Sequence, residues 1–269
     1  MAASGTVAKP STVGAVRLAF VGKGGAGKSL IAGTFARILA RTGEPVLAID
    51  SDPMPGLAYS LGLAASDAGI PAEAVEERAE GDEEGPRFRL RRDLSPAEAV
   101  RRYAATGPDG VRFLQFGKLR GHSSELMRSQ AAFHSIVHQL PEDEWNLVGD
   151  LPGGTRQPFF GWGRYARTVL VVAEATPSSL LSARRLARLA HMKEEPTVLA
   201  VANRVRTPGD ERRVAVATGL PVVAAVPYDE AVVDGERYGR PLLDHAPHSA
   251  AVAAVESLLT RVQSEEQAR

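Results

Sequence analysis

Four glycines, two lysines and a serine fall within eight residues, Gly22-Lys23-Gly24-Gly25-Ala26-Gly27-Lys28-Ser29. Glycines at these positions clear the side chains from a turn, so that successive main-chain N–H groups can converge on an anion. The pattern fills G-x-x-x-x-G-K-[ST] with Gly22, Gly27, Lys28 and Ser29, the spacing of a P-loop. In that role Lys28 reaches the β and γ phosphates of a nucleotide and the Ser29 hydroxyl holds Mg²⁺. An apolar run, Val16 to Val21, precedes the turn and a helical pattern opens behind it at Leu30, so a helix N-terminus adds its dipole to the same spot.

Two acidic stretches have the spacing to complete such a site. Val46-Leu47-Ala48-Ile49-Asp50 reads as a buried strand and runs into Ser51-Asp52-Pro53, while Trp145 to Asp150 reads as another and runs into Leu151-Pro152-Gly153-Gly154. Acids at the carboxyl ends of parallel strands beside a P-loop sit where Mg²⁺ and an attacking water must be held. The pattern at 145–154 fits a Walker B strand entering a switch: Asp150 holds a water on Mg²⁺ and the Gly154 N–H senses the γ phosphate. For Asp50 and Asp52 an Asx turn or a helix cap is the plainer alternative. Asn203-Arg204 and Pro227-Tyr228-Asp229 end two further strands on the edge of an open sheet where ligands collect, with a turn or simple packing as their alternatives. Met127, His134 and His138 share one stripe of a predicted helix; the histidine spacing suits a metal, although a polar flank or a dimer contact explains it too.

The elements that position these groups follow from periodicity. Helices are predicted at 28–42, 123–140, 178–191, 209–218 and 249–262, and strands at 111–116, 168–173, 197–202 and 222–226 besides those above. Strands alternating with helices give a doubly wound α/β fold with a mainly parallel, seven-stranded sheet and helices on both faces. Residues 1–14 read as a flexible arm, 15–264 as a single domain and 265–269 as a tail. Between 64 and 110 an acidic cluster (Glu76, Glu77, Glu80, Asp82, Glu83, Glu84) meets a basic one (Arg87, Arg89, Arg91, Arg92, Arg101, Arg102), which reads as a partly mobile insertion with a charge-balanced, solvated face.

Composition sets limits. The 269 residues carry 32 Lys+Arg against 32 Asp+Glu, so bulk charge implies no affinity for nucleic acid or anionic membrane. The absence of cysteine removes disulfides, thiolate metal sites and thiol catalysis. No signal peptide is visible and no stretch reaches about 18 consecutive apolar residues, so a cytoplasmic protein without membrane insertion is expected.

Lys23, placed directly after the first motif glycine, makes the turn resemble the deviant Walker A of the MinD/ParA, nitrogenase iron protein and CooC-type ATPases, P-loop NTPases of the SIMIBI type. Over roughly residues 15 to 262 the chain resembles the CooC-type branch in particular, through Ala48 to Pro53 with Leu61-Gly62, Val226-Pro227-Tyr228-Asp229-Glu230, and Gly239-Arg240-Pro241-Leu242 before Asp244. The resemblance implies that ATP binds along Gly22 to Leu30 and that Lys23 crosses to the nucleotide of a facing subunit, giving an ATP-dependent homodimer. It implies that Asp50 touches the Mg²⁺ shell and that Asp52 orients the water. Asn203, Arg204, Pro227, Tyr228 and Asp229 would form the adenine pocket. CooC-type relatives also bind nickel through a C-x-C pair, which by position falls near His122-Ser123-Ser124, where this chain has no cysteine. The expectation is a slow, Mg²⁺-dependent ATPase that binds and releases a protein client. A partitioning or scaffolding switch that occupies DNA or a surface is one alternative, and a metal-insertion chaperone using His122, Met127, His134 and His138 is another.

Overall fold

The structure, a computed structural model, describes residues 14–52, 56–66, 69–78, 86–116, 123–142, 144–153, 163–190 and 196–267. The chain runs β1 (Arg17–Gly22), α1 (Lys28–Ala40), β2 (Val46–Asp50), α2 (Leu57–Leu61), β3 (Val75–Glu77), β4 (Phe88–Leu90), α3 (Pro96–Tyr103), β5 (Ala105–Thr106), β6 (Arg112–Gln115) and α4 (Ser123–Gln139). It continues with β7 (Asn146–Asp150), β8 (Thr168–Ala173), α5 (Pro177–Ala190), β9 (Thr197–Val205), α6 (Pro208–Thr218), β10 (Val222–Pro227), α7 (Glu230–Tyr238), α8 (Leu242–His245) and α9 (Ala250–Gln267). No helix among the described residues is long and apolar enough to cross a membrane.

Strand order in the main sheet is β10-β9-β8-β1-β7-β2-β6-β5. The strands from β10 to β6 are parallel, as the alternating pattern requires, and β1 lies between β7 and β8 in the middle. The expected seven strands become eight because β5 adds an antiparallel pairing of Ala105 and Thr106 to β6, too short to leave a pattern in the sequence. This order brings the ends of β1, β2 and β7 side by side, with Asp50 directly opposite Asp150 in the ladder.

Period-two alternation splits the core between the two faces of the sheet. Leu18 and Phe20 of β1 face a cluster with Ile31, Phe35 and Leu39 of α1 and Val252, Val255 and Leu258 of α9. Ala19 and Val21 face the other, where Phe133 and Ile136 of α4 and Leu186 of α5 pack. Ring pairs at 5.9 Å, Phe20 with Phe35 and Phe116 with Phe133, mark the middle of each.

The segment read as a partly mobile insertion packs more closely than its composition suggests. Ile70, Val75, Phe88, Leu90 and Val100 are buried in the same cluster as the α4 face of the sheet. Single apolar residues spread through a polar stretch, each landing on one existing surface, leave no periodic signal. Ser95 and Glu98 close a capping box over α3, with Pro96 at its first turn. The charges do balance: Glu76 pairs with Arg89 and Arg92, and Glu77 with Arg87 and Arg128. Glu80, Asp82, Glu83 and Glu84 lie outside the described residues. The tail expected from 265 also begins later. Helix α9 continues to Gln267 because the Glu266 side chain is buried against Arg167 and accepts a hydrogen bond from Thr168 Oγ1 at 2.7 Å.

Arg37 crosses beneath this framework almost without solvent contact. Its guanidinium donates to Asp109 at 2.8 Å and to both oxygens of Asp244 at 2.9 and 2.7 Å, tying α1 to α8 and to the loop before β6. The two carboxylates raise its pKa against the opposing effect of burial, while the Arg37 hydrogen bond lowers that of Asp244. Removing one partner of a buried ion pair costs about 3 to 5 kcal/mol, and less here because Asp244 is nearly half in water. Arg37→Ala is expected to cost about 2 to 3 kcal/mol and to lower the melting temperature by roughly 5 to 10 °C. A thermal unfolding curve within about 1 °C of the parent would show that the triad is not holding α8.

Candidate nucleotide site

The turn between β1 and α1 is held from behind. Gly27 caps α1 at φ 90°, a left-handed conformation open to glycine, and no side chain caps the helix, so its first N–H groups remain available to an anion. The Asn203 amide nitrogen donates to the Ala26 carbonyl at 2.7 Å, close enough that a Cβ on Gly27 would come within 2.2 Å of it. Arg204, at φ 53°, turns back to donate to the Gly25 carbonyl at 3.2 Å and to Glu174 at 2.7 Å. Lys28 is buried at the start of α1 and Lys23 is exposed on the outer face of the turn.

Behind Lys28 stand the two acids. Ser29 Oγ donates to Asp150 Oδ2 in a short contact, and the other Asp150 oxygen is buried without a hydrogen-bond partner among the described residues. Burial pushes Asp150 up to about 7; the Lys28 charge acts against this and the Asp50 charge adds to it. A serine hydroxyl, a buried carboxylate oxygen without a donor and a glycine loop are the oxygen-rich, partly open set that suits Mg²⁺ bound through one or two groups plus phosphate and water.

Asp50 is placed beside this pair, but its carboxylate is already engaged. Oδ1 accepts from the Asp52 N–H and Oδ2 from the N–H groups of Gly56 and Leu57, each at 3.0 Å, so Asp50 caps α2. Burial raises its pKa, and the Leu57 and Asp52 N–H groups act in opposition. These contacts include both plainer arrangements open from sequence, an Asx turn from Oδ1 to the Asp52 N–H and a cap on α2 from Oδ2. Asp52 lies half-buried, near enough for its charge to act on Asp150, whereas Pro53 and Gly154 lie outside the described residues. Gly153 lies against the turn: a Cβ there would come 3.0 Å from the Gly24 nitrogen.

A cleft of about 600 Å³ opens from the turn at Gly25, Gly27, Lys28 and Ser29 along Leu30, with walls from Tyr59 of α2, Arg204, α7 and the Gly239–Leu242 turn. Its size fits a nucleotide. The residues assigned from sequence to the adenine pocket do not all line it. Arg204 does. Asn203 buttresses the turn, Arg206 stacks over the Tyr228 ring at 3.6 Å, and Asp229 caps α7 through Ala231 while also accepting from the Ala251 N–H of α9. Pro227 ends β10 half-buried. Tyr59, Val232, Glu236 and Arg240 were not picked out as site residues; the available signal was the 232, 235, 236 stripe along one side of α7, continued by Gly239, which ends the helix. A second recess of about 220 Å³ joins Lys23 to Glu174, Thr176, Ser179 and Arg204.

On the opposite face the His134 and His138 rings lie tilted against each other with centroids 4.1 Å apart, and burial, then the Arg164 charge, hold His134 below the usual imidazole value. Among the described residues no three His, Cys, Asp or Glu side chains converge as a metal site. His122 and the side chains of Ser123 and Ser124 lie outside the described residues.

Comparison with known proteins bears on this geometry. Residues 18–242 match the family described as the CobQ/CobB/MinD/ParA nucleotide binding domain. The chain is 28% identical over 263 residues to the carbon monoxide dehydrogenase accessory protein CooC of Rhodospirillum rubrum, covering 92% of this chain and 97% of that one. It is 26% identical over 238 residues to an uncharacterized ATP-binding protein of Methanocaldococcus jannaschii, covering 84% and 91%. The fold is similar to that of the septum site-determining protein MinD complexed with Mg-ADP from Pyrococcus horikoshii, with TM-score 0.66, 18% identity and coverage of 92% and 96%.

Proposed function

Since the chain belongs to the CobQ/CobB/MinD/ParA nucleotide-binding family, we propose that it is a Mg²⁺-dependent ATPase that pairs with a second copy on ATP and uses slow hydrolysis to bind and release a protein client. The observation that carries this reading is the Asp150 carboxylate, buried behind a glycine turn with Ser29 on one oxygen and no donor on the other. In phosphoryl transfer the protein contributes position and charge, with little covalent chemistry of its own.

The main-chain N–H groups of residues 24 to 29 bind the phosphates and fix their orientation. Lys28 sets a cation against the β and γ oxygens where solvent is excluded, which strengthens its effect. Ser29 and Asp150 would hold Mg²⁺, which when bound supplies charge neutralisation across the β and γ phosphates. Asp52 lies at the open side and orients the attacking water. Lys23, exposed on the rim, reaches the nucleotide of the facing copy. The similarity to CooC supports a maturation or assembly client over a DNA-bound switch.

Thermal shift tests the reading directly. At ATP about 100 times its dissociation constant with Mg²⁺, linkage stabilises the protein by roughly 2.7 kcal/mol, a rise of about 5 to 10 °C, and EDTA is expected to remove most of it. A melting temperature indifferent to ATP, ADP and GTP would reject a nucleotide role.

A further inference from the structure

Helix α1 ties two parts of the molecule together at a fixed spacing. Its first turn, at Lys28 and Ser29, is where the phosphates of a nucleotide would sit, and Arg37 lies about 14 Å further along the axis at about 1.5 Å per residue. From there the buried guanidinium sends two parallel bonds to the Asp244 carboxylate on α8, at 2.9 and 2.7 Å, and a third from Nε to Asp109 at 2.8 Å. A two-pronged pairing fixes orientation as well as distance. A buried ion pair seldom outweighs its desolvation by much, so an apolar side chain could fill this volume as stably; what the fork adds is direction.

The direction matters because of what Asp244 carries. Pro241 and Leu242, just before it in the chain, line the end of the 600 Å³ cleft away from the glycine turn. A nucleotide seated by its phosphates on Gly25 to Ser29 has to lay its nucleoside toward that end. The turn is seated tightly on α7, since the Arg240 N–H donates to the Gly235 carbonyl at 2.8 Å and a Cβ on Gly235 would come 2.9 Å from the Arg240 carbonyl. The wall from α2, with Tyr59 and Ser60, meets the same point. Gly62 ends that helix at φ 80°, and a Cβ there would lie 3.2 Å from Pro241 Cγ and 3.5 Å from an Asp244 oxygen. One buried cation on α1 thus stands behind the place where two walls of the cleft join.

We propose that Arg37, acting through Asp244, is a positioning residue that holds the nucleoside end of the cleft at a set distance from the phosphate seat. It governs how much the nucleoside adds to affinity and leaves the grip on the phosphates alone. The proposal rests on the nucleotide reading above. Asp109 binds the same guanidinium but sits in the loop before β6, none of whose described residues lines the cleft, and so it supplies the control.

The test is calorimetric titration of the full chain with ATP and with inorganic tripolyphosphate, both with Mg²⁺. The parent is expected to bind ATP about tenfold or more tightly than tripolyphosphate, the difference being the share of the nucleoside end. In Asp244→Ala, ATP affinity is expected to fall about tenfold while tripolyphosphate affinity stays within about twofold of the parent, because a wall out of place spoils only what touches it. Asp244→Asn, which keeps one acceptor oxygen, falls between. Both variants should remain folded, since Asp109 still pairs with the guanidinium. Asp109→Gly, which suits the left-handed φ of 59°, is expected to leave both affinities within about twofold. Arg37 would be only a brace of the fold, with the ATPase reading intact, on any of four results: an unchanged ATP affinity in Asp244→Ala, equal losses of both ligands in that variant, an equal loss of ATP affinity in Asp109→Gly, or a parent that binds the two ligands alike. A parent that binds neither ligand removes both readings.

Discussion

Asp52→Ala is expected to slow ATP turnover by about 100-fold or more, while ATP affinity stays within about threefold of the parent and the ATP-bound protein accumulates as a dimer. Asp52 stands just past the carboxyl end of β2, half-buried, with its main chain pinned by Asp50 and its charge felt by Asp150. In the proposed ATPase a side chain there would meet water near the γ phosphate without contributing to the seat of the β and γ oxygens, which would belong to Lys28 and the loop amides. Chemistry and binding should therefore separate. Phosphate release measured at saturating ATP, with light scattering on the same sample, reads both; turnover within about threefold of the parent would remove Asp52 from the reaction.

Gly27→Ala should act at the opposite point, on binding. The new Cβ would come 2.2 Å from the Asn203 amide nitrogen, and φ is 90°. Left-handed backbone costs an L-residue about 1 to 2 kcal/mol, and the contact forces Asn203 off the Ala26 carbonyl, so the turn and the first amides of α1 move together. Phosphate binding depends on several N–H groups converging within a few tenths of an ångström, and ATP affinity is expected to fall by about 100-fold or more. The fold should persist with a melting temperature lowered by several degrees, on the order of 5 °C. Calorimetry showing affinity within about threefold of the parent would mean that the turn does not seat the phosphates.

How far the sequence could be read depended on how local each determinant was. The glycine turn, the strands behind it and the acids at Asp50, Asp52 and Asp150 are legible because a few neighbouring residues specify them. Asn203 and Asp229 were legible as positions at a ligand-binding edge but not in their contacts, because those are made with Ala26 and Ala251, far away in the chain. Arg37 gave no sign of burial, since Asp109 and Asp244 reach it only after the sheet is assembled. The residues at 69–78 and 86–110 read as peripheral because each supplies one apolar side chain to a surface built by others, and periodicity detects only faces that one element builds alone.

Asp50 carries a mechanical implication. Its two carboxylate oxygens serve three amides, those of residues 52, 56 and 57. Swinging this side chain toward a cation at Ser29 would leave those donors wanting, at about 1 to 3 kcal/mol for each one kept from water. Helix α2 has little slack to follow, since Ser60 abuts Gly33 of α1 so closely that a Cβ there would come within 2.5 Å. Only a cation that drew Asp50 off these amides would loosen the start of α2, and the exposed Tyr59 on that short helix would then move with it, whereas a cation held by Ser29 and Asp150 alone would leave both in place.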